Sequence, residues 1–515
     1  MFKIISLPKL TEFRAWSFLL AFIALSAVQI SYILGGVNSI DLLLLLLIPS
    51  FFLFTLSLIQ PWATESKDYC TGLIITLACI VFSLFYKSGF EVGTIDDSYH
   101  NAVTVALSIN NSFFTNFKYI IPKEDTRFYH LEFIESIWGI LWRWTHQDFV
   151  IVICQCLPIL VLWLQLLKFF RNCKVSIPGF LASIVIMSLQ ILWCQQGSTY
   201  IDSLVGICGG ITLLMCYDIL SPGAIVNTKT LSALAFISTL SLTLKLSILP
   251  IALLGIGITI VLGLKTLAPM QRLVVILSAL PSSLYCLYHQ AQVWIKKGNP
   301  FFPFFAGKTG HDFHSWYHYY YDANPLICWF RSHSLNFKPF YIIASWVADF
   351  YPDHDITPDP YIRGNGMIFT YLVLPVLILW IIKNYKQTLS ISFWKDPRLI
   401  LLGVISIHYL IFDGSIGARF MLAFQILILA WCLTILWQFL HKLPPSFSRI
   451  ASSAVVSILV LLAVLSYLEG IRGLRMEKKI FSLLEAQRNI FPHHVETPDL
   501  RKMILMQIYS HAPQS

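Results

Sequence analysis

Charge is what this chain has little of. Asp, Glu, Lys and Arg make up 12% of its 515 residues, against 57% hydrophobic residues and a mean hydropathy of +0.70. A soluble domain carries about 25% charged residues. A water-facing surface this poor in charge would aggregate, so the solvent of most of the surface is lipid. No basic run interleaved with aromatics is present, which argues against a nucleic-acid partner. The net charge of +9, from 36 Lys+Arg against 27 Asp+Glu, is instead that of cytoplasmic loops rich in Lys and Arg. The eleven cysteines form neither a disulfide framework nor paired zinc ligands. Most (Cys79, Cys154, Cys156, Cys208, Cys216, Cys432) fall inside apolar stretches, and only Cys328 lies well inside a long polar loop. The N-terminus lacks a small-residue cleavage signature. Lys3, Lys9 and Arg14 precede an apolar run long enough to span, which reads as a retained first helix.

What is there is a succession of apolar stretches of spanning length. They begin at about 15–35, 40–60 and 70–88. After a polar-aromatic stretch at 89–148 they resume at 149–170, 178–196, 202–220, 230–247, 249–264 and 272–288. A second interruption, 289–366, precedes spans at 367–383, 398–413, 417–440 and 450–468. The expected fold is therefore an all-α polytopic membrane protein of about 13 transmembrane helices. With the N-terminus inside, Lys168, Arg171 and Lys174, then Lys265 and Arg272, Lys383 to Arg398, and Lys442 to Arg449 fall in cytoplasmic segments. Both long interruptions fall outside, as does the 441–515 region beyond its last span, although that tail is itself basic.

This topology gathers the costly polar residues on one side. The first outer segment opens with Asp96-Asp97-Ser98-Tyr99-His100, and a short outer turn ends in Thr199-Tyr200-Ile201-Asp202. Lys245 interrupts an apolar run, Gly298 to Pro303 opens the second long loop, and Arg419 heads a late helix. Ionisable groups at such depths cost a few kcal/mol each, on the order of 3, unless paired or wet. Each has a plainer explanation. Adjacent acids cap helices, Asp202 suits an N-cap, Lys245 can snorkel, Arg419 can anchor at the interface, and Gly298–Pro303 can be a rigid turn. His311, His314 and His318 share a helical face but lack a carboxylate partner, so they read as an interface belt and no metal is expected. The functional reading rests on convergence: three acids and two cations on one membrane face.

Such a set suits glycosyl transfer. The reaction needs a base for the attacking acceptor and cations for the departing phosphate, and Arg matches phosphate oxygens bidentately. A lipid-linked donor would keep its isoprenoid tail between helices while its sugar-phosphate head reached water. Aromatics of the outer loops, Trp138 and Trp142 among them, could stack on sugar rings or form an interfacial belt. Over about 70–440 the chain resembles the GT-C glycosyltransferases that use polyprenyl-phosphate sugars. It looks closest to the branch of protein O-mannosyltransferases and lipid A aminoarabinose transferases. Asp96-Asp97-Ser98-Tyr99-His100 is similar to that family's acidic motif, with Asp where Glu is frequent, and Thr199–Asp202 to its second acidic turn. Lys245, Gly298–Pro303, Gly364-Asn365-Gly366 and Arg419-Phe420 also resemble family features.

The resemblance implies a GT-C core at 70–440 with juxtamembrane helices in the outer loops 89–148 and 289–366. Residues 1–69 would be extra N-terminal helices, and 441–515 a last helix and short tail. It further implies Asp96 or Asp97 as general base, with Tyr99 and His100 beside them. Asp202 would shape a head-group site, Lys245 and Arg419 would contact the donor phosphate, and no cofactor is expected. The donor would be a polyprenyl-phosphate-linked sugar and the acceptor a lipid, glycan or protein. The membrane would be a bacterial inner membrane, with the site facing the periplasm or exterior. Two other functions remain open. A transporter would carry its ionisable groups near the midplane on broken helices in two repeated halves, and a lipid-linked polysaccharide polymerase or ligase would depend less on Asp96 and Asp97.

Overall fold

In lipid, a spanning segment must satisfy its own backbone, and a single segment does so only by coiling into a helix. The computed structural model describes residues 67–86, 149–196, 201–299 (save 222 and 225), 368–388 and 421–472, with isolated positions at 134, 135, 138, 332, 333, 401 and 403. Among these described residues the secondary structure is helical, with no strand. The helices are α1 (Lys67–Tyr86), α2 (Phe149–Asn172), α3 (Pro178–Ser188), α4 (Gln190–Gln195), α5 (Asp202–Leu220) and α6 (Thr228–Leu244). They continue as α7 (Leu249–Thr266), α8 (Pro269–Lys297), α9 (Leu374–Thr388, entered by a π-turn at Phe369–Val373), α10 (Leu422–Leu440) and α11 (Pro445–Arg472). Five are long and apolar enough to cross a membrane, over Asp202–Leu220, Leu249–Thr266, Pro269–Ile295, Leu422–Leu440 and Phe447–Ile471. The expected spans at 15–35, 40–60 and 398–413 lie outside the described residues, apart from Leu401 and Gly403.

Local chemistry sets the helix ends. Asn227 caps α6 by accepting from the Thr230 backbone N–H at 3.0 Å. Proline sits in the first turn of α3, α7 and α8, where its missing N–H is no loss. Lys174, at φ 58, closes α2. The Lys174 N–H donates to Arg171 O and the Val175 N–H to Phe170 O, which is the Schellman pattern. Gly298, at φ 70, closes α8. That helix runs nine residues past the 272–288 span expected from hydropathy, so the second interruption begins only after Lys297.

The single span expected over 178–196 is in fact broken. Leu189 leaves the helical region (φ −83, ψ 83) between α3 and α4. No proline or glycine marks the break; one local bond and one close approach from another helix accompany it. The Trp193 indole N–H donates to Ile186 O at 2.9 Å, satisfying a carbonyl beside the break. Gly470 of α11 lies so close that a Cβ there would fall 2.7 Å from Gln190 O.

Packing sorts the helices into a centre and a periphery. The spanning parts of α5 and α10 are mostly buried, whereas α7, α8 and α11 expose most of theirs, including Leu253, Ile260, Leu277, Leu287, Ile458 and Leu461. These exposed apolar faces are where lipid tails belong. α5 lies against α2, α6, α7 and α10. Its Gly206, Gly209 and Gly210 admit α10 closely: a Cβ at Gly206 would lie 2.5 Å from the Leu422 Cβ, and one at Gly210 2.5 Å from the Ile426 Cδ1. Small residues perform this service between membrane helices generally. A second close crossing, of α1 on α3, meets at Gly72 and Gly179. It is locked by Ser183, whose hydroxyl donates to Gly72 O at 2.5 Å, accepts from Trp163 Nε1 at 3.0 Å and bonds Thr76 Oγ1 at 2.8 Å.

Candidate functional site

α5 and α6 are adjacent and antiparallel, so α5 begins at the end of the bundle where α6 stops. Asp202 is the first residue of α5, where its carboxylate also suits the positive end of the helix dipole. Lys245 follows the last residue of α6 in an extended conformation (φ −163, ψ 139). A short 3₁₀ turn, Leu246–Ile248, then reverses the chain into α7. The two residues, 43 apart in sequence, meet there: Lys245 Nζ donates to Asp202 Oδ1 at 2.7 Å. Their side chains are 4% exposed for Asp202 and 17% for Lys245, so the pair is largely withdrawn from water.

The upper part of α6 leading to Lys245 is rich in hydroxyls: those of Thr239, Ser241 and Thr243 are satisfied locally, while the buried Ser238 hydroxyl has no hydrogen-bond partner among the described residues. Ser241 Oγ donates to Ile237 O at 2.7 Å and Thr243 Oγ1 to Leu240 O at 2.7 Å. Bonding of this kind lets a helix carry polar residues through apolar surroundings.

A second ion pair lies at the opposite end of α5. Asp218 faces Lys168 at 3.8 Å and accepts from Gln165 Nε2 at 3.4 Å. Around that end stand the basic turn residues Arg171, Lys174, Lys265 and Lys442, together with Arg272, which donates back to Leu264 O and Leu267 O. α5 therefore ends in a paired carboxylate on each side of the bundle. Lys168 was marked in the sequence as a loop cation, but Asp218 was not singled out, because a lone acid near a helix end resembles a solvated one.

Of the residues proposed from sequence, Asp202 and Lys245 are brought together. Asp96, Asp97, Tyr99, His100 and Arg419 lie outside the described residues, as do His311, His314 and His318. In Gly298–Pro303 only Gly298 and Asn299 are described, Gly298 as the left-handed cap of α8. Sequence reasoning passed over a set of glutamines at the Asp202 end. Gln155, Gln190, Gln195, Gln196 and Gln425 are all buried, and the Gln196 amide donates to Cys156 Sγ at 3.0 Å. Each sits singly or in a pair within an apolar run, so the signal was a dip in hydropathy too small to stand out. Among the described residues no group of three His, Cys, Asp or Glu side chains could hold a metal ion.

Long apolar helices with exposed apolar faces, and ion pairs that among the described residues lie at the two ends of α5, make this an integral membrane protein whose described secondary structure is helical. No family model, curated protein or solved structure matches the chain.

Proposed function

We propose that this protein is a membrane glycosyltransferase of GT-C type that moves a sugar from a polyprenyl-phosphate-linked donor to an acceptor at the extracytoplasmic face of a bacterial inner membrane. The observation that carries the reading is the Asp202–Lys245 pair, a cation held at 2.7 Å by a buried carboxylate where two helices end. A lysine so placed is oriented before any ligand arrives. Such preorganised positive charge is what a departing phosphate needs.

In the proposed reaction an acceptor hydroxyl oxygen attacks the anomeric carbon of the donor sugar. The bond from that carbon to the phosphate oxygen breaks, and its electron pair leaves with the polyprenyl phosphate. Asp96 or Asp97 takes the hydroxyl proton. Lys245 and Arg419 neutralise the leaving phosphate, with Asp202 positioning Lys245, while Tyr99 and His100 flank the base. Juxtamembrane helices in the two long outer loops would cover the site.

The test uses the purified chain with radiolabelled polyprenyl-phosphate sugars and a membrane extract as acceptor source, comparing wild type with Asp96→Asn and Asp97→Asn. Loss of transfer in one variant, with folding and donor binding retained, is the expected result and names the base. Transfer surviving both substitutions would remove the early acids from the mechanism and favour a lipid-linked polysaccharide polymerase or ligase.

One observation favours a second reading. The break at Leu189 makes α3 and α4 a discontinuous helix, a device that transporters use at their substrate sites. Donor-independent counterflow of a solute by the protein in liposomes would support transport.

A further inference from the structure

Two turns that lie far apart in the sequence are bonded together at the basic end of the bundle. The Trp437 indole N–H donates to Ser176 Oγ at 3.1 Å, and the Gln438 amide donates to Cys173 O at 3.5 Å. Ser176 Oγ also lies 3.4 Å from His441 Nε2. These contacts fix the α2–α3 turn, which carries Lys174, against the α10–α11 turn, which carries Lys442. A third lysine reaches the same place from α9, where Lys383 Nζ stands 5.5 Å from the centre of the Phe439 ring. The α10 coil continues through His441 (φ −70, ψ −17). At about 100° per residue it sets Lys442 between Gln438, on the side of the α2–α3 turn, and Phe439, under Lys383. Three elements thus bring one lysine each to the end of α10, and all three lysines are exposed.

A basic loop by itself is what membrane orientation asks for, but this arrangement has more to it. Lys174 occupies the left-handed region at φ 58. Glycine would close α2 there without strain, so what lysine adds at this position is its side chain. Among the described side chains at this end the one carboxylate is Asp218, which Lys168 and Gln165 already engage. No ion pair joins Lys174, Lys383 or Lys442 to a carboxylate among the described residues. Apolar surface adjoins the charge directly. Ile382 and Phe439 are exposed beside Lys383, and Phe447 and Ile450 open α11 just past Lys442. Clustered cations next to lipid-facing apolar side chains suit a ligand that is itself anionic at one end and apolar at the other.

We propose that Lys174, Lys383 and Lys442 form a binding site for the headgroup of an anionic phospholipid, whose acyl chains lie along the adjoining apolar faces of α9 and α11. The site is independent of the glycosyl-transfer reading and of which way the bundle faces.

The experiment titrates the full chain, in a non-ionic detergent, with phosphatidylglycerol or with phosphatidylcholine of the same acyl chains, and counts retained lipid by native mass spectrometry. Wild type is expected to retain phosphatidylglycerol about tenfold or more over phosphatidylcholine, since each lysine near a headgroup adds to the attraction. The triple variant Lys174→Gln/Lys383→Gln/Lys442→Gln should bring that ratio towards one with little change in thermal midpoint, the three side chains being exposed. Should the triple variant not fold, Lys442→Gln alone is expected to lower the ratio about twofold or more. Arginine at all three positions keeps the charge and should keep the preference. Lys265→Gln removes an exposed cation of α7 from the same end and should leave the ratio unchanged. Equal retention of the two lipids by wild type, or a preference that survives loss of the lysines, would overturn the proposal. So would an equal fall on Lys265→Gln, which would make the attraction a diffuse one. Displacement of phosphatidylglycerol by excess inorganic phosphate would also overturn it, by making the site one for the free anion.

Discussion

An ion pair inside a lipid-embedded bundle can be retained to hold two helices together or to hold a charge ready for a ligand, and Asp202–Lys245 is close enough to do either. The two roles separate by mutation. Removing one partner leaves the other uncompensated. For a fully buried pair that costs about 3–5 kcal/mol, whereas replacing both partners with apolar residues is often neutral. Because Lys245 is 17% exposed, Lys245→Met should cost less, on the order of 2 kcal/mol. The double variant Asp202→Leu/Lys245→Met should recover most of that loss when thermal unfolding is followed in detergent. If the pair were only a staple, the double variant would bind polyprenyl phosphate like wild type; a cation that meets the phosphate requires binding to stay weak after stability has returned. Both residues were legible in the sequence because a charge in an apolar run is conspicuous. Their contact was not, since 43 residues and a whole helical hairpin separate them. The buried glutamines were illegible for the opposite reason: an uncharged polar residue barely lowers the hydropathy of its span.

Helix–helix contacts at the level of elements depend on positions where hydropathy says nothing. Gly206 and Gly257 are both helical glycines within apolar stretches, yet their surroundings are opposite. A Cβ at Gly206 would lie 2.5–2.7 Å from three atoms of Leu422, whereas one at Gly257 would meet nothing within 4 Å. Gly206→Ala should therefore push α5 from α10 and cost about 1–3 kcal/mol, lowering the thermal midpoint. Gly257→Ala should leave the midpoint unchanged or raise it, because alanine removes the helix penalty of glycine, about 0.5–1 kcal/mol. Equal behaviour of the two would refute the close α5–α10 packing. The break at Leu189 teaches the same lesson. Hydropathy places one span over 178–196, and Ser188-Leu189-Gln190 contains no breaker, but the Trp193 indole takes up the Ile186 carbonyl and Gly470 of α11 leaves room for the Gln190 carbonyl. Spans such as 202–220 were readable to the residue because length and hydropathy alone determine them.

For the molecule as a whole, the antiparallel course of α5 and α6 turns a list of charged positions into two chemically distinct ends. One holds Asp202, Lys245 and the buried glutamines. The other holds Lys168, Asp218 and the basic turns, where Lys383 also lies over the Phe439 ring at 5.5 Å. On the reading proposed above, the bias of short loops towards Lys and Arg would put the second end in the cytoplasm and the first outside, where a polyprenyl-phosphate donor would present its sugar. That assignment can be checked without reference to activity. With the eleven native cysteines replaced, Lys442→Cys in the exposed α10–α11 turn and His333→Cys in the second long interruption provide exposed reporters. A membrane-impermeant maleimide should label position 333 in intact spheroplasts and position 442 only after the membrane is opened. The reverse pattern would turn the Asp202 end to the cytoplasm, where the same pair and glutamines would have to serve a donor presented from inside. Labelling of both positions in intact spheroplasts would break the two-ended arrangement.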